Sequence, residues 1–477
     1  YGGDTHVHIA HGGLGAAYDI DNVHMAMIAR AEDLRVTCVL TNGPYFNGGL
    51  DPAGDSRHLI HYGMEYRSAL YGHMGLLGMK SLIPAACCLP GTAAYPLNRM
   101  VCDAAHAQGA TVIVSHPVPM NPALFMDASL PWPYSGFARE LPANVIMGDV
   151  DAFDLFSYSN YSDDPTREIW FDLLNLGRRL PLSVGTDASV NRTYDPSPGG
   201  YRVYVRPTGA FTFDSWLQGL REGRSFATNG PLLIGFLLDG KRPGDELEIA
   251  DGELHEAAGR VTLFTREPVE TLELYWNGQM IATHSLPGTT GWIVYDFTLA
   301  LKPEPGWVVA RVIGHEAAPT TIGWVEQAIT SPIYIVAPDR RFEPKQDSVE
   351  RFDAWIRDLQ TLVLERGYWE SLSQMNAVWN ELEDARRRLY GRPVPEDDLP
   401  VVEQPVSPES ISVTLLSRGG AHLLQAGGKG EGRLEVFEEH AFSEVAQGVL
   451  RCAIEQMPPA AARPRVLLAA LPGEPHL

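Results

Sequence analysis

Short apolar runs alternate with longer amphipathic stretches over residues 1–235, and this alternation limits the choice of fold more than any other feature of the chain. Apolar runs that predict strands cover 35–42 (RVTCVLTN), 110–117 (ATVIVSHP), 144–155 (NVIMGDVDAFDL) and 180–188 (LPLSVGTDA). Helical periodicity covers 23–34 and 98–109 between them. Such alternation predicts an α/β fold with parallel strands, in which active sites assemble at the carboxyl ends of the strands.

The sequence pattern changes at about residue 236. Over residues 236–340, apolar and polar residues alternate with a period of two, and Asn277-Gly278 has the composition of a tight hairpin turn. This region predicts an antiparallel β-sandwich of about seven short strands. Sandwiches attached to enzymes mostly pack or oligomerise, so this one could also form a homodimer.

Two helices and a tail complete the predicted organisation. Over residues 341–392, apolar residues recur at spacings of three and four in two stretches, which predicts a helical hairpin. Residues 393–477 begin as a Pro-rich acidic linker and continue as a tail with one predicted helix around 434–455. Poor order of this tail is an open alternative.

The composition excludes several classes of partner. The 477 residues carry a net charge of −22, which argues against nucleic-acid and anionic-membrane binding because both need clustered cations. No apolar run approaches the roughly 18–20 residues of a membrane span. We therefore expect a small-molecule substrate, and a chain of this length predicts two or three domains.

The cellular location stays open at this level. The five cysteines lack the spacing of a disulfide framework or a zinc ribbon, which favours the cytoplasm. The chain starts almost directly on its first motif, without Met or a signal peptide, and we interpret it as processed or truncated. A secreted or periplasmic location is therefore an alternative.

Two histidines stand one residue apart in the opening stretch GDTHVHIAHGG, residues 3–13. In an extended strand, residues i and i+2 point to the same face, so His6 and His8 would present two imidazoles side by side. Further candidate metal ligands lie near the ends of predicted elements: Glu65, His73, His116 and Asp187. A mixture of imidazole and carboxylate suits Zn, Mn or Fe.

The order of these residues resembles that of a known family. The succession HxH, then ME…GHMGLLG, then SHP, then GTDA is similar to the polymerase-and-histidinol-phosphatase (PHP) domain. Within that superfamily, the phrases YGMEYR, WFDLLNLGRRLPLSVGTDA and GRSFATNGPLL resemble the carbaryl-hydrolase-like (CehA/McbA) metallohydrolases. The resemblance covers about residues 1–390. It implies a distorted (β/α)7 barrel over residues 1–235, with metals at the carboxyl ends of the strands, followed by the β-sandwich and the helical hairpin.

The resemblance also implies which residues bind metal. The first metal would be bound by His6, His8, Glu65 and Asp187, and the second by His73 and His116 together with Glu65 as a bridge. Relatives bind a third metal through three further positions, which this chain fills with Gly13, Asn42 and Ser189. These three groups bind divalent metals poorly, so we expect two divalent ions, with Zn favoured over Mn or Fe.

These features together predict a hydrolase. A metal-bridged hydroxide would attack the carbonyl of a carbamate, ester or amide in a small, partly aromatic molecule. Asp187 would accept a proton during the attack. Arg67 and Arg202 would stabilise the oxyanion or position the leaving group, with structural salt bridges as the alternative role.

Two other functions stay open. A phosphoesterase is the first alternative; the lost third metal position argues against it, as does Lys80, the single lysine of residues 1–235. The second alternative is a non-catalytic binding or scaffold module that acts through its sandwich. The presence of all six predicted ligands argues against this one.

Overall fold

In a computed structural model of the protein, the chain forms two compact units. The first unit is built from residues 1–89 and 98–352, and the second from residues 90–97 and 353–477. The structure describes residues 1–9, 20–41, 43, 45–68, 70–83, 94–117, 138–155, 163–192, 195–250, 252, 254–316, 325–367, 369, 372–391, 402–405, 412–418, 421–427 and 435–438. The boundaries expected near residues 235, 340 and 392 stay predictions.

The first unit begins with alternating strands and helices. In chain order they are β1 (Gly2–His8), α1 (Asn22–Ala31), β2 (Val36–Leu40), β3 (Leu59–Ser68), β4 (Gly72–Leu77), α2 (Asn98–His106), β5 (Thr111–Val114), α3 (Leu141–Met147), β6 (Ala152–Asp154), α4 (Asp163–Asn175), β7 (Leu182–Ser183), β8 (Ala188–Ser189), β9 (Arg202–Val205), α5 (Phe213–Arg221) and β10 (Ser225–Thr228). The structure therefore has strands within the predicted segments 35–42, 110–117 and 180–188, and helices within 23–34 and 98–109.

The pairings of these strands place the start of the chain beside Asp187. β1 pairs with β2 and β2 with β3 in parallel, and β5, β6 and β7 also pair in parallel. The backbone N–H of Thr5 donates to Val184 O at 3.3 Å, and that of Asp187 donates to His6 O at 2.8 Å. The segment that follows β7 thus runs along β1, so side chains at both carboxyl ends become neighbours.

Two pairings depart from the parallel arrangement that the alternation predicts. β3 pairs with β4 and β4 with β5 in antiparallel fashion. Only residues 69–71 connect β3 to β4, and a parallel pair would need a crossover of about a dozen residues or more. The first unit is therefore a mixed α/β structure, and the distorted (β/α)7 barrel stays a prediction.

The strand predicted over 144–155 is wrong for most of its length. The structure has α3 there, with a proline in its first turn, and Gly148 ends the helix in the left-handed region at φ 88°. Only Ala152–Asp154 forms a strand, β6. Residues 141–146 of α3 are all buried, so no polar face interrupts the apolar run, and periodicity cannot distinguish a buried helix from a buried strand.

Seven further strands follow within the first unit. They are β11 (Leu232–Leu238), β12 (Glu246–Glu248), β13 (His255–Trp276), β14 (Gln279–Leu301), β15 (Gly306–Glu316), β16 (Val325–Thr330) and β17 (Ile333–Val336). The turn between β13 and β14 is the predicted one, because Asn277 and Gly278 both have positive φ, at 49° and 82°. β13 and β14 have 22 and 23 residues, far longer than the short strands expected. The sandwich itself stays a prediction.

Two helices occupy the predicted hairpin region. α6 spans Gln346–Arg366 and α7 spans Leu372–Leu389. In the second unit, Arg386 on α7 donates from Nε to the buried Asp353 on α6 at 2.7 Å, so the two helices contact each other as predicted. Among the described residues, no helix is long and apolar enough to cross a membrane.

The tail of the second unit contains four short strands. β18 (Val402–Pro405), β19 (Ser412–Arg418), β20 (Ala421–Gly427) and β21 (Glu435–Glu438) form one antiparallel sheet in that order. β21 lies where the sequence predicts the start of a helix over 434–455, so that prediction is wrong at Glu435–Glu438. The rest of the predicted helix lies outside the described residues.

Candidate metal centre

The two histidines of the HxH motif lie on β1 and point to the same side of it. Both side chains are buried, and their Nε2 atoms are 3.0 Å apart. This confirms the expectation from the period of two along a strand. Two imidazole nitrogens at this distance need a cation or a shared proton between them, because the lone pairs of two neutral rings would repel each other.

Two carboxylate oxygens complete the first donor group, one from Glu65 on β3 and one from Asp187 after β7. Asp187 Oδ1 lies 3.2 Å from His6 Nε2 and 3.0 Å from His8 Nε2. Glu65 Oε2 lies 3.6 Å from His6 Nε2 and 3.2 Å from His8 Nε2. Donors bound at 2.0–2.1 Å in a tetrahedron around Zn²⁺ would be roughly 3.3 Å apart. The four residues therefore fit a small divalent ion.

A second donor group shares Glu65 with the first. Glu65 lies on β3 and His73 on the adjacent β4, and His73 Nδ1 is 2.9 Å from Glu65 Oε1. His116 follows β5, and its Nε2 is 3.3 Å from the same oxygen. Because the first group uses Oε2 of Glu65 and the second uses Oε1, the carboxylate can bridge two ions. The predicted ligands therefore converge into two buried groups that could hold metal ions.

Asp187 also faces both groups. Its Oδ1 contacts the two histidines of β1, and its Oδ2 is 3.6 Å from His116 Nε2. The oxygen expected to be free for proton transfer thus lies beside the second donor group.

The charges of the cluster depend strongly on one another. Burial would lower the pKa of His8, but its contacts with the Asp187 and Glu65 carboxylates raise that pKa to about 9. Burial would raise the pKa of Glu65, but the nearby His6 holds it well below its usual range. The pKa of Asp187 is lowered in the same way, against the effect of burial. Both carboxylates are thus ionised at neutral pH, the state that binds a cation.

Two ligands are held in left-handed backbone conformations. The φ of His116 is 30° and that of Asp187 is 54°, a region that residues other than glycine rarely adopt. Surrounding hydrogen bonds must stabilise such turns, and they concentrate at functional sites. The groups that form hydrogen bonds with the backbone of these turns are therefore important for the position of the two ligands.

The sequence analysis missed one of these groups, the buried carboxylate of Asp4. Its Oδ1 accepts from His6 N at 3.1 Å and from Thr186 N at 3.0 Å. Its Oδ2 accepts from Thr186 Oγ1 at 2.6 Å and from Gly199 N at 2.7 Å. Asp4 thus ties β1 to the turn that carries Asp187. Its position two residues before the HxH motif, on the same face of the strand, is the signal that could have identified it.

Asp154 has an equivalent role between the turn that carries His116 and the turn that carries Asp187. This buried residue at the end of β6 accepts from His116 N at 3.3 Å and from Gly185 N at 2.9 Å. Burial raises its pKa to about 7, against these hydrogen bonds. Like His8, it stands at the carboxyl end of a strand, and this placement was the available signal.

The structure separates the two arginines proposed to contact substrate. Arg67 lies at the cluster, since its Nε donates to Glu65 Oε2 at 2.6 Å, and its side chain is 29% exposed. Arg202 instead donates to two backbone carbonyls, Gly199 O at 2.6 Å and Glu32 O at 3.2 Å. Among the described residues, no hydrogen bond joins Arg202 to the donor groups. These contacts are hydrogen bonds to the backbone, not the salt bridges of the alternative role.

The positions that would hold a third metal are only partly described. Gly13 and Asn42 lie outside the described residues. Ser189 is buried in β8 opposite His8 of β1, and its Oγ has no hydrogen-bond partner among the described residues. The expected loss of a third ion therefore stays a prediction.

Comparisons with known proteins give little further guidance. A scan against protein-family models gives no match, and a search of curated proteins gives none. Among solved structures, the chain is similar to a lytic polysaccharide monooxygenase of Jonesia denitrificans, whose structure is a neutron crystallographic one. The sequence identity is 17% and the TM-score 0.16, over 29% of this chain and 78% of that one. A likeness of this size carries no argument, and the PHP-type family stays a prediction.

Proposed function

We propose that the protein is a binuclear metal-dependent hydrolase that cleaves a carbamate, ester or amide bond in a small molecule. One observation carries the proposal: six buried or half-buried ligands form two donor groups around one shared carboxylate, that of Glu65. Two divalent ions bound there, Zn in the first place, would supply Lewis acidity to polarise a carbonyl and to activate water.

The protein's own residues would bind the ions, transfer a proton and donate hydrogen bonds to the reacting groups. Glu65 and Asp187 stay ionised and compensate the charge of the ions. Asp187 Oδ2 would accept the proton released in the attack. Arg67 is partly exposed beside Glu65, so it would donate to the oxyanion or to the leaving group. Asp4 and Asp154 would hold the ligand-bearing turns in place.

Metal content tests the binuclear site. Protein purified without chelators is expected to contain about two equivalents of divalent metal, because the two donor groups are distinct. A His116→Ala variant is expected to lose the ion of the second group and keep the first. Plasma mass spectrometry measures both. Three equivalents in the wild-type protein would favour the phosphoesterase, and none, even after Zn or Mn is added, would contradict the proposal.

A matched substrate panel tests the reaction. With the metal-loaded protein, we expect turnover of a 4-nitrophenyl ester and of an aryl N-methylcarbamate, and little turnover of 4-nitrophenyl phosphate. The leaving group is the same in the first and last compounds, so the comparison reports the acyl or phosphoryl centre alone. Turnover of the phosphate alone would assign the phosphoesterase activity instead.

The binding of the first ion is expected to release a proton. His8 has a pKa of about 9, so it is protonated at pH 7 and must lose its proton before Nε2 can bind a metal. Below that pKa, the apparent affinity should rise about tenfold per pH unit. Calorimetry in two buffers with different protonation enthalpies measures the released proton. Equal binding enthalpies in the two buffers would contradict the expectation.

A further inference from the structure

A groove of about 560 Å³ lies in the first unit, lined by residues of β9, β10 and β11. The stacked rings of Tyr204 on β9 and Phe226 on β10, with centroids 5.0 Å apart, form part of its wall. Ile234 of β11 also lines it, and this apolar residue is 53% exposed. None of the predicted metal ligands lines the groove. It is therefore a second concave surface, separate from the donor groups.

The groove is bordered by the free edge of a strand. Residues 232–237 of β11 line it without interruption, although successive side chains of a strand point to opposite faces. Such a lining arises where the edge of the strand, rather than one face, borders the space. Within the described part of the chain, β11 pairs with β13 alone, and residues 232–237 make no hydrogen bond on the other side. Free N–H and C=O groups of this kind are a template for another strand.

Three arginines from three different segments line the same groove: Arg206, Arg224 and Arg242. Arg224 forms an ion pair with Glu222 and donates to Thr208. The side chains of Arg206 and Arg242 form no ion pair or hydrogen bond among the described residues.

The positive charge of this groove is not fully compensated. Burial and repulsion by Arg242 and Arg224 lower the pKa of Arg206, although the carboxylate of Asp245 acts in the opposite direction. One carboxylate oxygen of Asp245 already accepts a hydrogen bond from the backbone N–H of Arg242 at 2.9 Å. Arginines that are only partly compensated, in a chain of net charge −22, indicate a site for an anionic partner.

We propose that this groove binds an extended acidic peptide segment of another protein, which adds as a strand to the free edge of β11 and places carboxylates against Arg206 and Arg242. Main-chain hydrogen bonds to β11 would supply affinity, and the arginines would select acidic side chains. Apolar side chains of the segment would contact Ile234, Tyr204 and Phe226. This site does not depend on the proposed hydrolase activity.

A labelled peptide with alternating Val and Glu, nine residues long and capped at both ends, is the probe. We expect saturable binding by fluorescence anisotropy, weakened by added salt because the arginines are exposed. A peptide with Gln in place of Glu should bind about tenfold more weakly. An Arg206→Gln/Arg242→Gln double variant should show a loss of the same size, whereas Arg57→Gln, an exposed arginine outside the groove, should bind like the wild-type protein.

Two methylated peptides test the strand pairing itself. N-methylation of every Val blocks one edge of the peptide strand, and N-methylation of every Glu blocks the other. We expect one of the two to lose binding and the other to bind like the parent. These changes are in the peptide, so the result does not depend on how a protein variant folds.

Several results would overturn the proposal. They are no binding of the parent peptide, equal binding of both methylated peptides, and binding unchanged in the double variant. Sedimentation that shows a dimer, dissociated by Ile234→Lys, together with no peptide binding, would assign the edge to a second copy of the chain.

Discussion

Replacing Glu65 with Gln is expected to remove metal-dependent hydrolysis and to lower the metal content to one equivalent or less. Oε2 of Glu65 belongs to the first donor group and Oε1 to the second. An amide offers one neutral oxygen and a nitrogen that cannot bind a cation, so neither group keeps its full charge. The expected loss in kcat/KM is on the order of a thousandfold or more, about 4 kcal/mol of transition-state stabilisation.

The measurement pairs steady-state kinetics with metal analysis on the same preparation. Glu248→Gln is the matched control, because Glu248 is an exposed carboxyl on β12 outside both donor groups. A circular dichroism spectrum like that of the wild-type protein would show that the fold is retained. If Glu65→Gln kept two equivalents and full activity, the shared carboxylate would not be the centre of the site, and the binuclear proposal would fail.

The ligands could be predicted from sequence because each lies in or next to a recognisable apolar run. The spacing of His6 and His8 sets their common face on a strand, and Glu65 and His73 lie on two strands joined by a short turn. β1 and the segment after β7 converge through long-range pairing, which local sequence patterns do not show. The expectation that their ligands converge came from the resemblance to a family.

The supporting groups were not visible in the same way. Asp4 and Asp154 act through backbone N–H groups far along the chain, at Thr186, Gly199 and Gly185. Which amide a buried carboxylate meets is set by tertiary structure, so no local pattern encodes it. The partners of Arg202 could not be predicted for the same reason. The sequence around it resembles that of a family and suggested a catalytic role, but its side chain donates to backbone carbonyls.

The errors in the fold also have a common physical cause. The run around Val145 and Ile146 has no exposed polar face because α3 is buried, with Asn144 as its single polar residue, and its pattern therefore resembles that of a buried strand. The length of β13 and β14 depends on their mutual pairing over many residues. A prediction made from one short sequence segment at a time does not include this pairing and therefore gives several shorter strands. Local signals located the turn at Asn277-Gly278, because its backbone conformation is set by those two residues alone.

Replacing Asp4 with Ala is expected to lower the free energy of unfolding by about 3–5 kcal/mol and to weaken metal binding about 10- to 100-fold. The change leaves three buried backbone donors without their acceptor, the N–H groups of His6, Thr186 and Gly199. The hydroxyl of Thr186 loses its contact at 2.6 Å and keeps only the one to His6 O at 3.4 Å. Each unsatisfied buried donor costs about 1–3 kcal/mol, and water that enters the space would recover part of the sum.

Urea denaturation of the metal-free and the metal-loaded protein distinguishes a positioning role from a purely structural one. Asp103→Ala, an exposed carboxyl on α2, is the control and should change the free energy of unfolding by less than about 0.5 kcal/mol. If Asp4 positions the ligands, the stabilisation gained on adding metal should be smaller in Asp4→Ala than in the wild-type protein, because the turn that carries Asp187 loses part of its hydrogen bonding to β1. An equal gain in both would show that Asp4 serves the fold alone. In that case the left-handed turn at Asp187 would have to be stabilised by its own hydrogen bond to His6 O.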